Sequence, residues 1–304
     1  MEPFRVHILG CGSALPTLKH FPSAQVVEVR GKLFLLDCGE GTQIQLRRSR
    51  LRFTKIGAVF VTHLHGDHCF GLIGMISTFG LLGRTAKLTV YGPEALATTL
   101  RQQMDAFCRD LDYEVEFVAV DATHQQVIYE DRSLTVESIP LDHRIPCCGY
   151  LFREKPTLPH IRRDVADFYQ IPVSQFNNIK AGADWTTADG EVVANSRLTE
   201  PAGEARSYAY CSDTRYLPTL HERLRGVSTL YHESTYGDDN LLLAEKYCHS
   251  TARQAAQVAS DAGVGQLLLG HYSSRYEDEN ILLDEAQKVF KNSRLTNELD
   301  IFDV

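Results

Sequence analysis

The sequence has no apolar stretch long enough to span a bilayer, and Met1 to His7 contain neither the basic region nor the sustained apolar run of a signal peptide. Eight cysteines are present, but no two have the spacing of a zinc knuckle or a disulfide framework. These absences argue against a membrane protein and against a small disulfide-stabilised one. We therefore expect a soluble, cytoplasmic protein with reduced thiols and no membrane partner.

Positive charge is also scarce, since the formal net charge is −8. Non-specific nucleic-acid binding draws its affinity mainly from Lys and Arg, so this balance disfavours that class. One short segment is an exception, because it contains five cations and no acidic residue: Arg47, Arg48, Arg50, Arg52 and Lys55. Such a run is either a solvated helix face or a phosphate contact, and we take Arg47 and Arg48 as candidate substrate contacts.

The 304 residues, of which 43% are hydrophobic, can bury the core of a single α/β domain. Apolar periodicity predicts strands at 4–10, 24–30, 33–37, 58–62, 87–91, 113–120, 134–139, 207–212, 227–231 and 266–270. It predicts helices at 42–48, 69–81, 94–107, 239–248, 251–262 and 279–290. Two sheets between helical layers would follow, although periodicity alone does not exclude a doubly wound sheet.

The segment His63-Leu64-His65-Gly66-Asp67-His68 places three imidazoles and a carboxylate in one turn after an apolar run. Both ligand types suit a borderline divalent ion such as zinc. Alternate residues of an extended turn point the same way, so His63 and His65 can share one ion, while Asp67 and His68 face a second. Histidines that are close by chance are the alternative, but four ligand-type residues at a strand-to-loop edge favour an open metal site.

Three further ligand-type residues end strand-like apolar runs elsewhere in the chain. His143 follows the run at 134–139, Asp213 ends the run at 208–213, and His271 ends the run at 267–271. Each residue alone is equally well explained as a cap or a turn residue. Their shared placement makes all three candidate metal ligands.

Several motifs along the whole chain resemble those of the ribonuclease Z family, within the metallo-β-lactamase superfamily. The metal turn identifies only the superfamily, and the later motifs narrow the resemblance to tRNA 3′ processing. They are Gly10-Cys11-Gly12-Ser13-Ala14, Asp37-Cys38-Gly39-Glu40-Gly41-Thr42, Ser212-Asp213-Thr214, His232-Glu233-Ser234-Thr235, His249-Ser250-Thr251 and Gly270-His271-Tyr272-Ser273-Ser274-Arg275-Tyr276. The resemblance implies an αββα sandwich of the metallo-β-lactamase fold with an inserted protruding arm, and the metals at one sheet edge.

The resemblance also implies two Zn²⁺ per subunit. The first ion would be bound by His63, His65 and His143, and the second by Asp67, His68 and His271. Asp213 would bridge the two ions. Two such cations activate a water and stabilise a phosphate during in-line displacement. Asp67 would also orient or deprotonate that water.

His249 corresponds to the family's general acid, with Glu233 close to it to fix its orientation or hold its proton. The alternative for His249 is a residue preceding a helix that Ser250 caps and that begins near Thr251. A proton donor is required for the leaving oxygen, and this favours the catalytic interpretation. We assign His232 and Asp37 structural roles, and Arg275 a possible phosphate contact through its planar guanidinium.

Residues 151–206 carry four prolines and a dense mixture of charges, and we interpret them as an insertion in a single domain that spans 1–304. From His143 to Asp213 is 213 − 143 = 70 residues, more than a loop between two ligand strands requires. In the resembling family this region is an arm that grips tRNA, and in the homodimer one arm serves the other subunit's site. The family's Gly-Pro arm motif is absent, because neither Gly182 nor Gly190 precedes a proline.

The loop Pro16-Thr17-Leu18-Lys19-His20-Phe21 departs from the Pro-x-Lys-x-Arg-Asn element of many family members. Proline is kept, the basic residue is displaced by one position, and the Arg-Asn pair is missing. Lys19 remains a candidate substrate contact.

These features together predict a zinc-dependent endoribonuclease that removes 3′ trailers from precursor tRNA. It would cut after the discriminator nucleotide and leave a 3′ hydroxyl on the tRNA and a 5′ phosphate on the trailer. Two alternatives stay open: a hydrolase of the same fold that acts on a small phosphodiester or lactone, and an inactive RNA-binding relative. The insertion disfavours the first, and the complete ligand set disfavours the second.

Overall fold

The computed structural model describes residues 2–304, and two large mixed sheets dominate it. The first sheet consists of β1 (Phe4–Gly10), β2 (Ala24–Val29), β3 (Lys32–Leu36), β4 (Ile56–Phe60), β5 (Leu88–Gly92), β6 (Val115–Ala119) and β18 (Ile301–Asp303). The second consists of β7 (Val127–Glu130), β8 (Leu134–Leu141), β9 (Cys147–Glu154), β14 (Ser207–Cys211), β15 (Thr229–Glu233), β16 (Gln266–Gly270) and β17 (Ser293–Leu295).

The spatial order is β18-β1-β2-β3-β4-β5-β6 in the first sheet and β17-β16-β15-β14-β9-β8-β7 in the second. Strands β3 to β6 are parallel, as are β14 to β17, whereas β1 is antiparallel to β2 and β18, β2 to β3, β7 to β8 and β9 to β14. Parallel strands end at the same edge of a sheet. The residues that follow β14, β15 and β16 are thereby brought together.

The first sheet is buried on both faces, which explains its continuous apolar runs. In β4 and just beyond it, Ala58 and Phe60 pack into one core with the second sheet, whereas Val59 and Val61 pack into another. The second core also contains side chains of α1 (Thr42–Arg48), α3 (Leu72–Leu81) and α4 (Glu94–Phe107). The predicted αββα sandwich is confirmed.

Further helices are α2 (Gly66–Cys69), α8 (Leu220–Arg223), α9 (Leu241–Tyr247), α10 (Ala252–Ala262) and α11 (Asn280–Gln287), with short 3₁₀ turns at Phe53–Lys55 and Asp238–Asn240. Helix α10 packs on the second sheet through its alanine face, including Ala252, Ala255 and Ala259. The helix cap at Ser250, considered as the alternative for His249, is not found. Thr251 caps α10 through a capping box with Gln254, while Ser250 donates to the carbonyl of Thr214.

Residues 154–205 form a separate compact unit with its own small core, built from Ala166, Ile171, Ile179, Val193 and Leu198. Its elements are β10 (His160–Ile161), α5 (Arg163–Phe168), a 3₁₀ turn at Val173–Gln175, α6 (Phe176–Lys180), β11 (Trp185–Thr186), β12 (Val192–Val193), α7 (Asn195–Leu198) and β13 (Thr199–Glu200). Strand β9 continues to Glu154 and pairs with β14. The boundary therefore lies later than the start of the predicted insertion at 151.

All eight cysteines are free, and all but Cys69 are buried, as the sequence predicts. Within residues 2–304, no helix combines the length and apolarity needed to cross a membrane.

Candidate metal centre

The seven predicted ligands converge at one end of the sandwich. The turn that carries His63, His65, Asp67 and His68 follows β4, and the other three ligands follow β8, β14 and β16. All seven side chains form two groups whose donor atoms lie within 4.8 Å of one another. The groups are His63, His65, His143 and Asp213, and Asp67, His68 and His271.

In the first group, three imidazole nitrogens meet at one point. Nδ1 of His65 lies 3.0 Å from Nε2 of His63 and 3.2 Å from Nε2 of His143. Oδ2 of Asp213 lies 3.6 Å from the same nitrogen of His63 and 3.7 Å from that of His143. Ligands held tetrahedrally by zinc at its usual bond lengths are separated by about 3.3 Å, so the spacing suits a single ion.

In the second group, two imidazoles face two carboxylates. Nε2 of His68 lies 3.3 Å from Oδ2 of Asp67 and 3.3 Å from Oδ1 of Asp213. Nε2 of His271 lies 3.1 Å from Oδ1 of Asp213 and 3.5 Å from Oδ2 of Asp67. Asp213 therefore presents one oxygen to each group, as a bridging ligand must.

The outward nitrogens of the ligand histidines determine where their protons reside. Nδ1 of His143 lies 2.9 Å from the carbonyl oxygen of Cys248, and Nδ1 of His68 lies 2.8 Å from Oδ2 of Asp37. Both partners are acceptors, so each Nδ1 carries a proton and Nε2 is the ring nitrogen that faces the centre.

Two threonines have the same effect on the other ligand histidines. The Thr62 hydroxyl donates to Asp37, so its oxygen accepts from Nδ1 of His63 at 2.9 Å. The Thr235 hydroxyl donates to Glu233 and accepts from Nδ1 of His271 at 2.8 Å. Nε2 of both histidines is therefore also the ring nitrogen that faces the centre.

Imidazole nitrogens and carboxylate oxygens thus face each other across the centre. In the described part of the chain, Nε2 of His68 and Nε2 of His271 are buried and have no hydrogen-bond partner. A buried acceptor without a donor is costly, and a cation is the partner that satisfies all these atoms together. Mixed imidazole and carboxylate donors fit a borderline divalent metal.

Asp37 holds the turn at 63–68 in place through hydrogen bonds. It is fully buried, and its carboxylate accepts from the Thr62 amide at 2.8 Å and from the Tyr210 hydroxyl at 2.9 Å, in addition to His68. Asp37 and His271 both adopt left-handed backbone conformations, with φ of 52° and 59°. Strained non-glycine residues of this kind cluster at functional sites. The structural role predicted for Asp37 is confirmed.

The electrostatics keep both carboxylates ionised. Burial alone would raise the pKa of Asp67, but the adjacent His68 holds it well below its usual range. Burial likewise opposes ionisation of Asp213, and His271, His68 and His63 lower its pKa. Burial lowers the pKa of His63 and of His143, which favours the neutral form that binds metal. At His68 burial also lowers the pKa, but Asp213, Asp67 and Asp37 outweigh it and raise the pKa, so a metal there would displace a proton.

His249 and Glu233 form a pair beside the two groups. Nδ1 of His249 lies 2.9 Å from Oε1 of Glu233, and the imidazole lies 5.1 Å from the ring of His143 and 5.4 Å from that of His271. Burial lowers the pKa of His249, but the Glu233 carboxylate outweighs it and raises the pKa to about 9. His232 is buried, with Nδ1 2.8 Å from the carbonyl of Glu233, in line with a structural role.

A cavity of about 500 Å³ opens onto the metal groups and His249. Its wall includes Tyr236, Tyr247 and two exposed cations, Arg144 and Arg275. The sequence pointed to Arg275 but missed Arg144, although a cation directly after a ligand histidine was an available signal.

The other three predicted substrate contacts lie outside the lining of this cavity. Lys19 donates to Glu279 and to the carbonyl of Glu277. Arg47 and Arg48 are exposed at the end of α1, where Arg48 donates to Gln45 at 3.1 Å. These three side chains therefore do not line the cavity, and their role as substrate contacts stays a prediction.

Comparison with known proteins agrees with the geometry. Residues 4–158 match the family model of the anti-Pycsar protein Apyc1. The chain is 55% identical over 298 residues to ribonuclease Z of Bacteroides fragilis strain YCH46, covering 98% of both chains. Among solved structures it is similar to human tRNase Z, short form (TM-score 0.70, 24% identity, 98% of both chains). It is also similar to the metallo-β-lactamase fold protein YhfI of Bacillus subtilis (TM-score 0.70, 18% identity, 100% of both chains).

Proposed function

We propose that this chain, which belongs to the ribonuclease Z family and is a metal-dependent endoribonuclease, removes the 3′ trailer of precursor tRNA. Its residues 4–158 also match the Apyc1 family. The cut falls after the discriminator nucleotide and leaves a 3′ hydroxyl on the tRNA and a 5′ phosphate on the trailer. The observation that carries this proposal is the pairing of a two-sided ligand cluster with a protonated imidazole, His249, at its edge.

The metals of the proposal are two zinc ions per subunit. His63, His65 and His143 hold one, Asp67, His68 and His271 hold the other, and Asp213 supplies an oxygen to each. Bound there, the ions supply Lewis-acid stabilisation of the phosphate charge and lower the pKa of a water. The four outward hydrogen bonds of the histidines keep the donor atoms aimed inward before any metal arrives.

Asp67 has two tasks in this mechanism. Its carboxylate is a ligand of the second group, with Oδ2 3.3 Å from His68 and 3.5 Å from His271. Its pKa is lowered, so it is ionised at neutral pH and can accept a hydrogen bond from the attacking water. A carboxylate in this place also orients that water for in-line attack.

His249 supplies the proton that the leaving oxygen needs. Glu233 accepts from Nδ1 of His249 at 2.9 Å, so Nε2 is the nitrogen available to a substrate in the cavity. The proton passes from this Nε2 to the 3′ oxygen of the discriminator nucleotide as the bond to phosphorus breaks. Glu233 stabilises the imidazolium before transfer and keeps the ring oriented afterwards.

The unit at 154–205 is the proposed tRNA-binding exosite, inserted in a domain that otherwise spans the whole chain. It has a core of its own and carries the exposed or half-buried cations Arg162, Arg163, Lys180 and Arg197. Cations on a separate unit suit the phosphate backbone of a large folded RNA. We further propose that the protein works as a homodimer and, because its substrate is precursor tRNA, in the cytoplasm.

The decisive experiment uses purified, zinc-loaded protein and an end-labelled precursor tRNA with a 3′ trailer. The expected result is one chelator-sensitive cut after the discriminator nucleotide, mapped at single-nucleotide resolution. A protein that leaves the precursor intact but hydrolyses a small phosphodiester would move the assignment to the small-molecule hydrolases of the same fold. Metal-free protein that binds the RNA with unchanged affinity and never cuts it would indicate a binding protein.

A further inference from the structure

Arg144 is a cation at the metal centre with no carboxylate to neutralise it. It directly follows His143, is exposed, and lines the cavity that opens onto the metal groups. In residues 2–304 its guanidinium has no ion pair. Its Cζ lies over the ring of Tyr247, 5.9 Å from the ring centroid. An unpaired arginine in a site for anionic substrate is a candidate phosphate ligand.

Arg215, a second arginine at this edge, differs from Arg144 because its guanidinium has partners within the protein. Its Nε lies 3.1 Å from Oδ2 of Asp142, and its Nη2 lies 2.9 Å from Sγ of Cys248. These contacts tie the loop before His143 to the residue before His249. Arg215 thus has a structural task, whereas nothing in the described chain occupies the hydrogen-bonding fork of Arg144.

The position of Arg144 indicates on which side of the scissile bond it contacts the RNA. Tyr247, over which its guanidinium lies, is two residues before His249, and the rings of His143 and His249 are 5.1 Å apart. Arg144 is therefore next to the imidazole that protonates the leaving oxygen. That oxygen is the 3′ oxygen of the discriminator nucleotide, so the nucleotide beside Arg144 belongs to the tRNA and not to the trailer.

We propose that Arg144 binds the phosphate on the 5′ side of the discriminator nucleotide and thereby fixes which bond enters the metal centre. The inference rests on the proposed function and adds a substrate contact to it. The planar guanidinium gives two parallel hydrogen bonds to one phosphate, and the Tyr247 ring supports its apolar face. Lys246, whose Nζ lies 5.1 Å from the same ring, adds positive charge nearby.

The test compares Arg144→Ala with wild type in binding of mature tRNA that ends at the discriminator nucleotide. This RNA keeps the proposed phosphate and lacks the whole trailer, and it presents no bond for cleavage. We expect Arg144→Ala to weaken its binding about tenfold or more. The slope of log affinity against log salt should fall by about 0.7 to 0.9, the loss of one phosphate contact.

Cleavage of the full precursor supplies the second measurement. Arg144→Ala should raise KM, and a methylphosphonate at the phosphate 5′ of the discriminator should abolish the difference between variant and wild type. Arg144→Lys, which keeps the charge without the fork, should recover part of the binding. Metal content and melting temperature should remain those of wild type, because Arg144 is exposed and bonds to no other part of the described chain.

Arg101→Ala is the matched control, since Arg101 is an exposed arginine on α4. Mature tRNA bound equally by Arg144→Ala and wild type would overturn the inference. The inference would also be overturned if the difference between Arg144→Ala and wild type disappeared when a phosphate of the trailer was replaced by a methylphosphonate. Failure of the wild-type protein to bind or cut tRNA would instead contradict the proposed function, so the two failures are distinguishable.

Discussion

Nδ1 of His249 lies 2.9 Å from Oε1 of Glu233, a carboxylate with no exposed surface. The backbone amide of Thr214 and the hydroxyl of Thr235 donate to the same carboxylate. Thr235 also accepts from the ligand His271. Glu233 therefore joins His249, the proposed proton donor, to His271, a proposed metal ligand, through one buried network, so we expect a change in it to affect both.

Replacement of His249 by alanine separates these two functions. We expect His249→Ala to keep its metal and to lose about 10² to 10⁴-fold in single-turnover cleavage rate, the usual contribution of general acid catalysis. Metal content by elemental analysis and the cleavage rate are measured on the same preparation. His124→Ala, which changes an exposed histidine, is the control. Loss of metal would instead make His249 a ligand, a role that its proximity to Asp213 and His271 permits.

Glu233→Gln should move the alkaline limb of the pH profile. In the wild type, burial lowers the pKa of His249, but Glu233 raises it to about 9, so the imidazole is protonated below that pH. Without the carboxylate, burial still lowers the pKa while the largest cause that raises it is gone, so the pKa falls. We therefore expect the cleavage rate of the variant to decline at lower pH than that of the wild type. Profiles recorded at one zinc concentration from pH 6 to 10 test this, and superimposable limbs would contradict it.

The closeness of four of the candidate ligands could be predicted because they are adjacent in sequence. His63, His65, Asp67 and His68 form one turn, so their convergence needs only local geometry. His143, Asp213 and His271 could be found because each follows a strand, and parallel strands end at a common edge. The sequence could not predict the direction of every imidazole, since that of His271 depends on Thr235 and that of His143 on Cys248, residues far away along the chain.

The strand β9 shows a second limit. This strand is Cys147–Glu154, and its last four residues fall within the predicted insertion at 151–206. A charged segment that contains prolines follows directly. Gly149 also weakens a strand pattern. Here the glycine is needed, since a Cβ at this position would lie 2.4 Å from the carbonyl oxygen of Tyr210 on the neighbouring strand β14. Only the tertiary pairing shows that this glycine belongs to a central strand.

Asp67→Ala should abolish cleavage while the fold persists. The variant removes a ligand of the second group and the proposed hydrogen-bond acceptor for the attacking water, and the side chain contributes no core packing. Asp67→Asn keeps the shape but not the charge and should also be inactive. Circular dichroism, metal content and single-turnover rate are measured together. Turnover close to wild type in either variant would exclude the proposed role of Asp67.

A separate buried network gives the protein a pH-dependent stability. Nδ1 of His20 lies 2.9 Å from Glu298, and Nε2 lies 3.2 Å from Glu279. Burial lowers the pKa of His20, but the hydrogen bond to Glu298 and the charges of both carboxylates raise it overall. A raised pKa in the folded state means that this stabilisation is complete below the unfolded value, near 6.5. It is lost as the pH rises through the folded value.

His20→Gln should therefore destabilise the protein most in mild acid. The expected loss is about 1 to 3 kcal/mol at pH 6, as for a buried hydrogen bond to a charged group, and less at pH 9. Chemical denaturation of both proteins at a series of pH values measures it. A loss that grows with increasing pH would show that the neutral imidazole is the form held in the native state.

Gly39 tests whether the backbone under the metal turn requires close packing. A Cβ at Gly39 would lie 2.5 Å from the carbonyl oxygen of Asp67 and 2.6 Å from the Cβ of Pro22, distances that force the backbone to shift. Because Asp67 and His68 sit on this backbone, we expect Gly39→Ala to weaken metal affinity and to lower cleavage more than tenfold. Effects of this size follow when supporting contacts of metal ligands are disturbed.

Gly57→Ala is the matched control for Gly39→Ala, because a Cβ at Gly57 meets no atom within 4 Å. Gly57 lies in β4, where alanine restricts the unfolded chain more than glycine does, so this variant should be as stable as wild type or slightly more stable. Zinc titration and thermal unfolding of both variants separate the two effects. If Gly39→Ala bound zinc as wild type does while losing only stability, the close approach would serve the fold and not the metal centre.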